Sequence, residues 1–160
     1  MNILYAVSRK HRLPLLEKRL RGNTVSRIRV CPLDYGLDGP LEEMRKAAAC
    51  RGVEFHVVDF LTEFNEKAFS IKDPYLSFIR GLGERPVGRA RTLQEHFKLF
   101  GRPLSVWWLS LIPEKNPYKS SAYLLLAKAL TLIDLAKSSG SDEIWLDEGL
   151  EEIGAVLERT

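Results

Sequence analysis

Val106-Trp107-Trp108-Leu109-Ser110-Leu111-Ile112 is apolar but for one serine, and Pro113-Glu114-Lys115-Asn116-Pro117-Tyr118-Lys119-Ser120 follows it directly. Such a run reads as a strand buried on both faces, and the two prolines after it, lacking the N–H that a ladder needs, forbid its continuation. The chain turns there. Ser120 or Ser121 can then cap a long apolar helix reaching to about Lys137, because a serine hydroxyl accepts a bond from an unpaired first-turn N–H. Glu114, Lys115, Asn116, Lys119 and Ser120 thus occupy a short loop between the C-terminal end of a strand and the start of a helix. In open α/β sheets ligands bind at such loops, although polar βα loops are also commonly just solvated.

Outward from this stretch, the 160 residues suit one domain with a real core. Hydrophobic residues at 45% and charged ones at 28% are ordinary for a globular chain, and a net charge of +3 does not by itself point to nucleic acid. The positive charge is uneven. Arg80, Arg85, Arg89, Arg91, Lys98 and Arg102 stand against Glu84 and Glu95 alone, a pattern that suits either an anionic partner or a solvated helix face. Interleaved aromatics are limited to Phe97 and Phe100, so a nucleic-acid partner is not expected. Cys31 and Cys50 lack metal-ligand spacing and read as reduced, part-buried thiols of a cytoplasmic protein. The first residues run straight into a strand without the pattern of a signal peptide. No apolar run approaches the roughly 18 residues that span a bilayer, so any membrane association is expected to be peripheral.

Taken in order, Asn2–Val7 is a strand, Leu13–Leu20 a short helix and Arg27–Leu33 a second strand ended by Pro32 and the Asp34-Tyr35-Gly36 turn. Pro40 opens a helix over Leu41–Arg51, Gly52 stops it, and Val53–Phe60 is a third strand. Between Phe60 and Arg102 the alternation breaks. Two short helices separated by Asp73-Pro74 are expected, then a mobile loop over Arg80–Gly88 and a helix over Arg89–Leu99. The helix after Ser120 leaves only Lys128, Thr131, Asp134 and Lys137 for water. Glu143–Leu146 is a fifth strand ending at Asp147-Glu148-Gly149, and Leu150–Arg159 is a last helix.

Five strands alternating with helices predict a Rossmann-like three-layer α/β/α fold around a mostly parallel five-stranded sheet. With strand order 3-2-1-4-5, the loops after Val7 and Ile112 face one crevice where the winding reverses. Ser8, Arg9, Lys10 and His11 would there confront Glu114, Lys115, Asn116 and Lys119, with the helix start at Ser120 adding donors for an anion. Asp147 and Glu148 would stand one strand further along.

Residues 107–120, the Leu-rich helix after them and the strand ending in acidic residues resemble the amino-terminal part of bacterial surface carbohydrate biosynthesis proteins, which are glycosyltransferase-like. The resemblance is concentrated between about residues 103 and 150; before that only the βαβ layout is shared. It implies the first lobe of a two-lobed, GT-B-like transferase of surface polysaccharide synthesis, working in the cytoplasm or at the inner face of the membrane. The second, donor-binding lobe would belong to another part of the protein or to a partner. Asp147-Glu148-Gly149 is also similar to the acidic-acidic-Gly motif of some two-lobed bacterial sialyltransferases, whose first acidic residue is a general base; their His-Pro motif is not in this chain.

A transferase of this kind needs a base within reach of an acceptor hydroxyl and cationic or N–H donors for a nucleotide leaving group. Glu114 and Asp147 are the base candidates, with His11 a further one; Lys115, Asn116, Lys119, Ser120 and the Ser8–His11 loop are the binding candidates. No metal or other cofactor is implied, and the partner expected is a sugar nucleotide or a glycan acceptor. The competing expectation is a non-catalytic Rossmann-like module that binds a ligand or protein, which the mostly apolar helix over 122–136 favours.

Overall fold

A computed structural model of the chain describes residues 1–8, 13–87, 91–98 and 120–159. They divide into two compact units, one of Met1–Glu66 with Lys128–Thr160 and the other of Lys67–Ala127.

The first unit is an α/β layer structure. β1 (Asn2–Val7), α1 (Leu13–Gly22), β2 (Arg27–Pro32), α2 (Asp38–Ala49) and β3 (Glu54–Val57) form the expected alternation. β4 (Glu143–Leu146) and α6 (Glu151–Leu157) complete it. Every strand pair is parallel and the order is β3-β2-β1-β4. Side chains alternate across the sheet, as the two-residue period of a strand requires. Ile3, Tyr5, Val7, Ile28, Val30 and Trp145 point to one face, where Leu16 and Leu20 of α1 and Met44 and Ala48 of α2 close a core over them. On the opposite face Leu4, Ala6 and Cys31 are equally buried, and the guanidinium of Arg29 donates to the Ser139 carbonyl at the C-terminal end of a helix. A cation there meets the negative end of the helix dipole and occupies a carbonyl that has no partner within the helix.

Among the described residues the sheet has four strands rather than five. The expected strand over 106–112 lies outside those residues, and its expected place beside strand one is corrected by the pairing of β1. β2 occupies one edge of β1, from Asn2↔Arg27 to Val7↔Pro32, and β4 occupies the other, from Ile3↔Glu143 to Ala6↔Leu146. A strand has two edges, so nothing further can lie next to β1. Helix ends follow the expected chemistry. Gly52 at φ 66° and Gly140 at φ 60° adopt the left-handed conformation that stops a helix, and the next N–H folds back in each case, Val53 to Ala48 and Ser141 to Ala136.

The second unit holds most of α3 (Phe60–Glu84), α4 (Leu93–His96) and the first part of α5 (Ser121–Ser139). Three expectations are corrected here. Asp73-Pro74 does not separate two helices: α3 is continuous with Pro74 inside it. Its apolar residues on either side of Pro74, including Ala68, Ile71, Tyr75 and Ile79, continue one buried or half-buried stripe that tertiary packing rewards despite the lost N–H. For the same reason Arg80–Glu84 belong to the helix and not to a loop. The helix expected over 89–99 is, in the described residues, the short α4, which starts at a Thr92–Glu95 capping box. A fourth correction belongs to the first unit, where Thr131 of α5, expected to face water, is buried.

Candidate functional site

Because β1, β2 and β3 are laid down in one direction and β4 returns to the other side of β1, the winding reverses between β1 and β4. Ligands in open parallel sheets bind beyond the C-terminal strand ends at this reversal. The residues emerging there are Ser8 from β1 and Asp147 from β4. The Asp147 N–H still donates to the Ala6 carbonyl at 3.0 Å, so the residue is held by the ladder itself.

The side chain of Asp147 is buried, at 4% exposure. Tyr5 stands opposite Trp145 in the register, and Asp147 lies two residues beyond Trp145 on the same face. That diagonal is within reach of a tyrosine. The Tyr5 hydroxyl donates to Oδ1 of Asp147 at 3.2 Å, and the Ser8 N–H approaches Oδ2 at 3.5 Å. The Ser8 hydroxyl donates to the Glu148 carbonyl at 3.3 Å, tying the two emerging loops together. Burial, and next the negative charge of Asp147, push the Tyr5 hydroxyl well above its ordinary value of 10.0, so it stays a neutral donor at any physiological pH.

A hollow of about 260 Å³ opens beside this pair, lined by Leu15 and Arg19 of α1 and by Leu146, Asp147, Glu148, Leu150 and Glu151. Arg19 lies with its guanidinium 5.6 Å from the Trp145 ring centroid, a cation–π distance that steadies the side chain. Gly149, at φ 82°, makes the turn into α6, and its N–H donates to the Glu151 carboxylate at 3.0 Å. A partly desolvated carboxylate on a strand end, next to a neutral phenol and a guanidinium, can accept a hydrogen bond from a ligand hydroxyl. Among the described residues no group of three or more His, Cys, Asp or Glu side chains is placed to hold a metal ion.

Of the residues singled out in the sequence, Ser8 and Asp147 are brought together. Asp147 stands directly beside β1 and not one strand further along as expected. Ser120 belongs to the second unit, where it is the N-cap of α5: its hydroxyl accepts from the Tyr123 N–H at 3.2 Å and bonds the Tyr75 hydroxyl at 3.1 Å, leaving it 2% exposed. Arg9, Lys10, His11, Glu114, Lys115, Asn116 and Lys119 lie outside the described residues. His56 bonds Glu54 on the exposed edge strand and His96 bonds the Val87 carbonyl, so neither is part of this cluster. Tyr5 and Arg19 escaped the sequence reading. The signal for Tyr5 was a hydroxyl in an otherwise aliphatic strand, since a buried phenol needs a partner. For Arg19 there was none without the packing of α1.

Compared with family models, with curated proteins and with solved structures, the chain matches none.

Proposed function

We propose that the chain is the Rossmann-like first lobe of a glycosyltransferase-type protein of surface polysaccharide synthesis, and that the β1–β4 crevice binds its sugar substrate. The observation that carries this reading is the buried Asp147 carboxylate, oriented by Tyr5 and Ser8, on the wall of a hollow at the point of winding reversal. In this role Asp147 accepts the proton of an acceptor hydroxyl as it attacks a sugar carbon, and the nucleotide leaves with the bond electrons. Glu114 is the other base candidate, and Lys115, Asn116 and Lys119 are the candidates for stabilising the leaving anion. The donor lobe is supplied by a further domain or a partner, and the assembly works in the cytoplasm or against the inner face of the membrane. No helix among the described residues is long and apolar enough to cross a membrane.

A second reading rests on the same bonds. A carboxylate that receives Tyr5 and the Ser8 amide also latches β4 to β1, as it would in a non-catalytic protein-binding module with no ligand at Asp147. Thermal melting of the purified chain with sugar nucleotides, free nucleotides and short glycans separates the two. A ligand that binds the folded state raises the melting temperature by mass action. A shift with one ligand class that Asp147→Asn abolishes, while the unliganded melting temperature stays within a few degrees, supports the transferase lobe. No shift with any of them leaves the latch.

A further inference from the structure

The two units differ in charge. The unit of Lys67–Ala127 holds ten Lys and Arg against four Asp and Glu, a net of +6, whereas the other holds 14 against 17, a net of −3. Those sums include every carboxylate of each unit, so they hold wherever the side chains lie. A chain of net charge +3 that gathers its cations in one compact unit is drawn through that unit toward anionic surfaces.

Part of the charge stands on a braced segment. Pro86 pairs antiparallel with Thr92. The Val87 N–H donates to the Arg91 carbonyl at 2.7 Å, and the Leu93 N–H donates to the Arg85 carbonyl at 3.0 Å. His96, in α4, reaches the Val87 carbonyl at 2.6 Å through Nε2, which must be the donor because a carbonyl only accepts. In this pairing Val87 lies opposite Arg91, and Arg85 is two residues before Val87, so the three side chains project to one side. All three are exposed, as are Phe97 and Lys98 just after α4. Val87 is 44% exposed and Phe97 46%. Apolar groups thus stand in water beside cations, on backbone that three bonds already hold in place.

We propose that Arg85, Val87, Arg91, Phe97 and Lys98 form a docking surface for a bilayer carrying anionic phospholipids, which the protein binds peripherally through its basic unit. Lipid phosphates meet the guanidinium and ammonium groups, whose aliphatic stems lie along the apolar boundary. Val87 and Phe97 enter the region between headgroups and acyl chains. A nucleic acid would meet the same cations through its phosphates but give Val87 no apolar partner. The proposal is independent of the sugar site at Asp147, and neither falls with the other.

The test is cosedimentation of the full chain with vesicles of phosphatidylglycerol and phosphatidylethanolamine at about 0.15 M salt, with phosphatidylcholine vesicles alongside. The expected result is binding to the anionic vesicles, little to the neutral ones, and release as the salt approaches about 1 M. Arg85→Gln/Arg91→Gln/Lys98→Gln should weaken binding on the order of a hundredfold, and Val87→Ser severalfold. Lys18→Gln/Lys46→Gln/Arg51→Gln removes the same charge from exposed positions of the other unit and should change binding little. All of these positions are exposed, and an unchanged melting temperature shows that each variant is folded. No binding to the anionic vesicles overturns the proposal, as does equal binding to the neutral ones. An equal loss in the two triple variants assigns the effect to net charge and overturns the assignment to this surface. Retention on DNA at the same salt, without retention on vesicles, replaces the membrane with a nucleic acid.

Discussion

At the scale of single residues, Tyr5 and Asp147 show how a polar pair is tolerated inside a sheet. Both side chains are buried, and each supplies what the other lacks: the phenol a donor, the carboxylate an acceptor. Removing the hydroxyl alone, with Tyr5→Phe, leaves a buried carboxylate one donor short and should cost about 1–3 kcal/mol, read from urea unfolding with an unchanged slope. A cost near zero would mean that water replaces the hydroxyl and that Asp147 is wetter than its burial suggests. Cys31 gives a second residue-scale expectation. Burial raises its thiol from an ordinary 9.0 to about 12, while Cys50 is exposed. In the native protein a thiol reagent at pH 8 should therefore modify Cys50 promptly and Cys31 only after unfolding. The sign for stability follows from which state holds the proton. Between pH 9 and 12 the folded chain keeps the Cys31 proton and the unfolded chain loses it. Stability is thus intact below pH 9 and falls by about 1.4 kcal/mol per pH unit through that window. Tyr5, also raised, acts in the same direction at higher pH. A Cys31→Ser comparison, followed by denaturation at pH 8 and 10.5, should remove that part of the slope.

At the scale of elements, α3 is where local preference and packing disagree. Pro74 inside a helix forfeits one backbone bond, and Asp73-Pro74 would ordinarily mark a boundary. The helix persists because residues on both sides of it bury apolar side chains. Tyr75 packs edge-on against Tyr123 at 5.0 Å between centroids, and the Tyr123 hydroxyl donates to the Ala68 carbonyl about two turns earlier in α3. Pro74→Ala restores the missing N–H at an exposed position and should stabilise the chain, by up to about 3 kcal/mol. A fall in melting temperature would show instead that the proline bend is needed for the Tyr75–Tyr123 contact. The same cluster explains Ser120. A serine before a helix can serve an anion or its own helix, and the bonds to Tyr123 and Tyr75 commit this one to the helix.

At the scale of the whole molecule, strand order decides which residues meet. Among the described residues β1 has partners on both edges and five consecutive buried positions, whereas β3 has one partner and mostly exposed side chains. Amide hydrogen exchange should therefore be slowest in β1 and fastest in β3, because an edge strand opens without disturbing the rest of the sheet. Exchange of Ile3–Val7 as fast as that of Glu54–Val57 would remove Glu143–Leu146 from the edge of β1, and with it the crevice that places Asp147 next to Ser8. Arg80–Arg102, a basic segment in the sequence, resolves in its described part into the C-terminal end of α3 and the capped turn of α4.

The sequence alone determined the elements whose signals are local. The strands at 2–7, 27–32 and 143–146 could be read from apolar alternation and runs, as could the stops at Gly52 and after Ser139 and the cap at Ser120. It also marked Asp147 and Ser8 as polar residues leaving strand ends. Which strand lies beside β1 was not legible, because pairing joins residues about 140 positions apart and many orders satisfy the same alternation. Only the tertiary structure set Glu143–Leu146 there, and only then did Tyr5, Arg19 and Asp147 become neighbours. It also made α3 continuous through Pro74, since the burial that outweighs a broken helix bond comes from residues far along the chain.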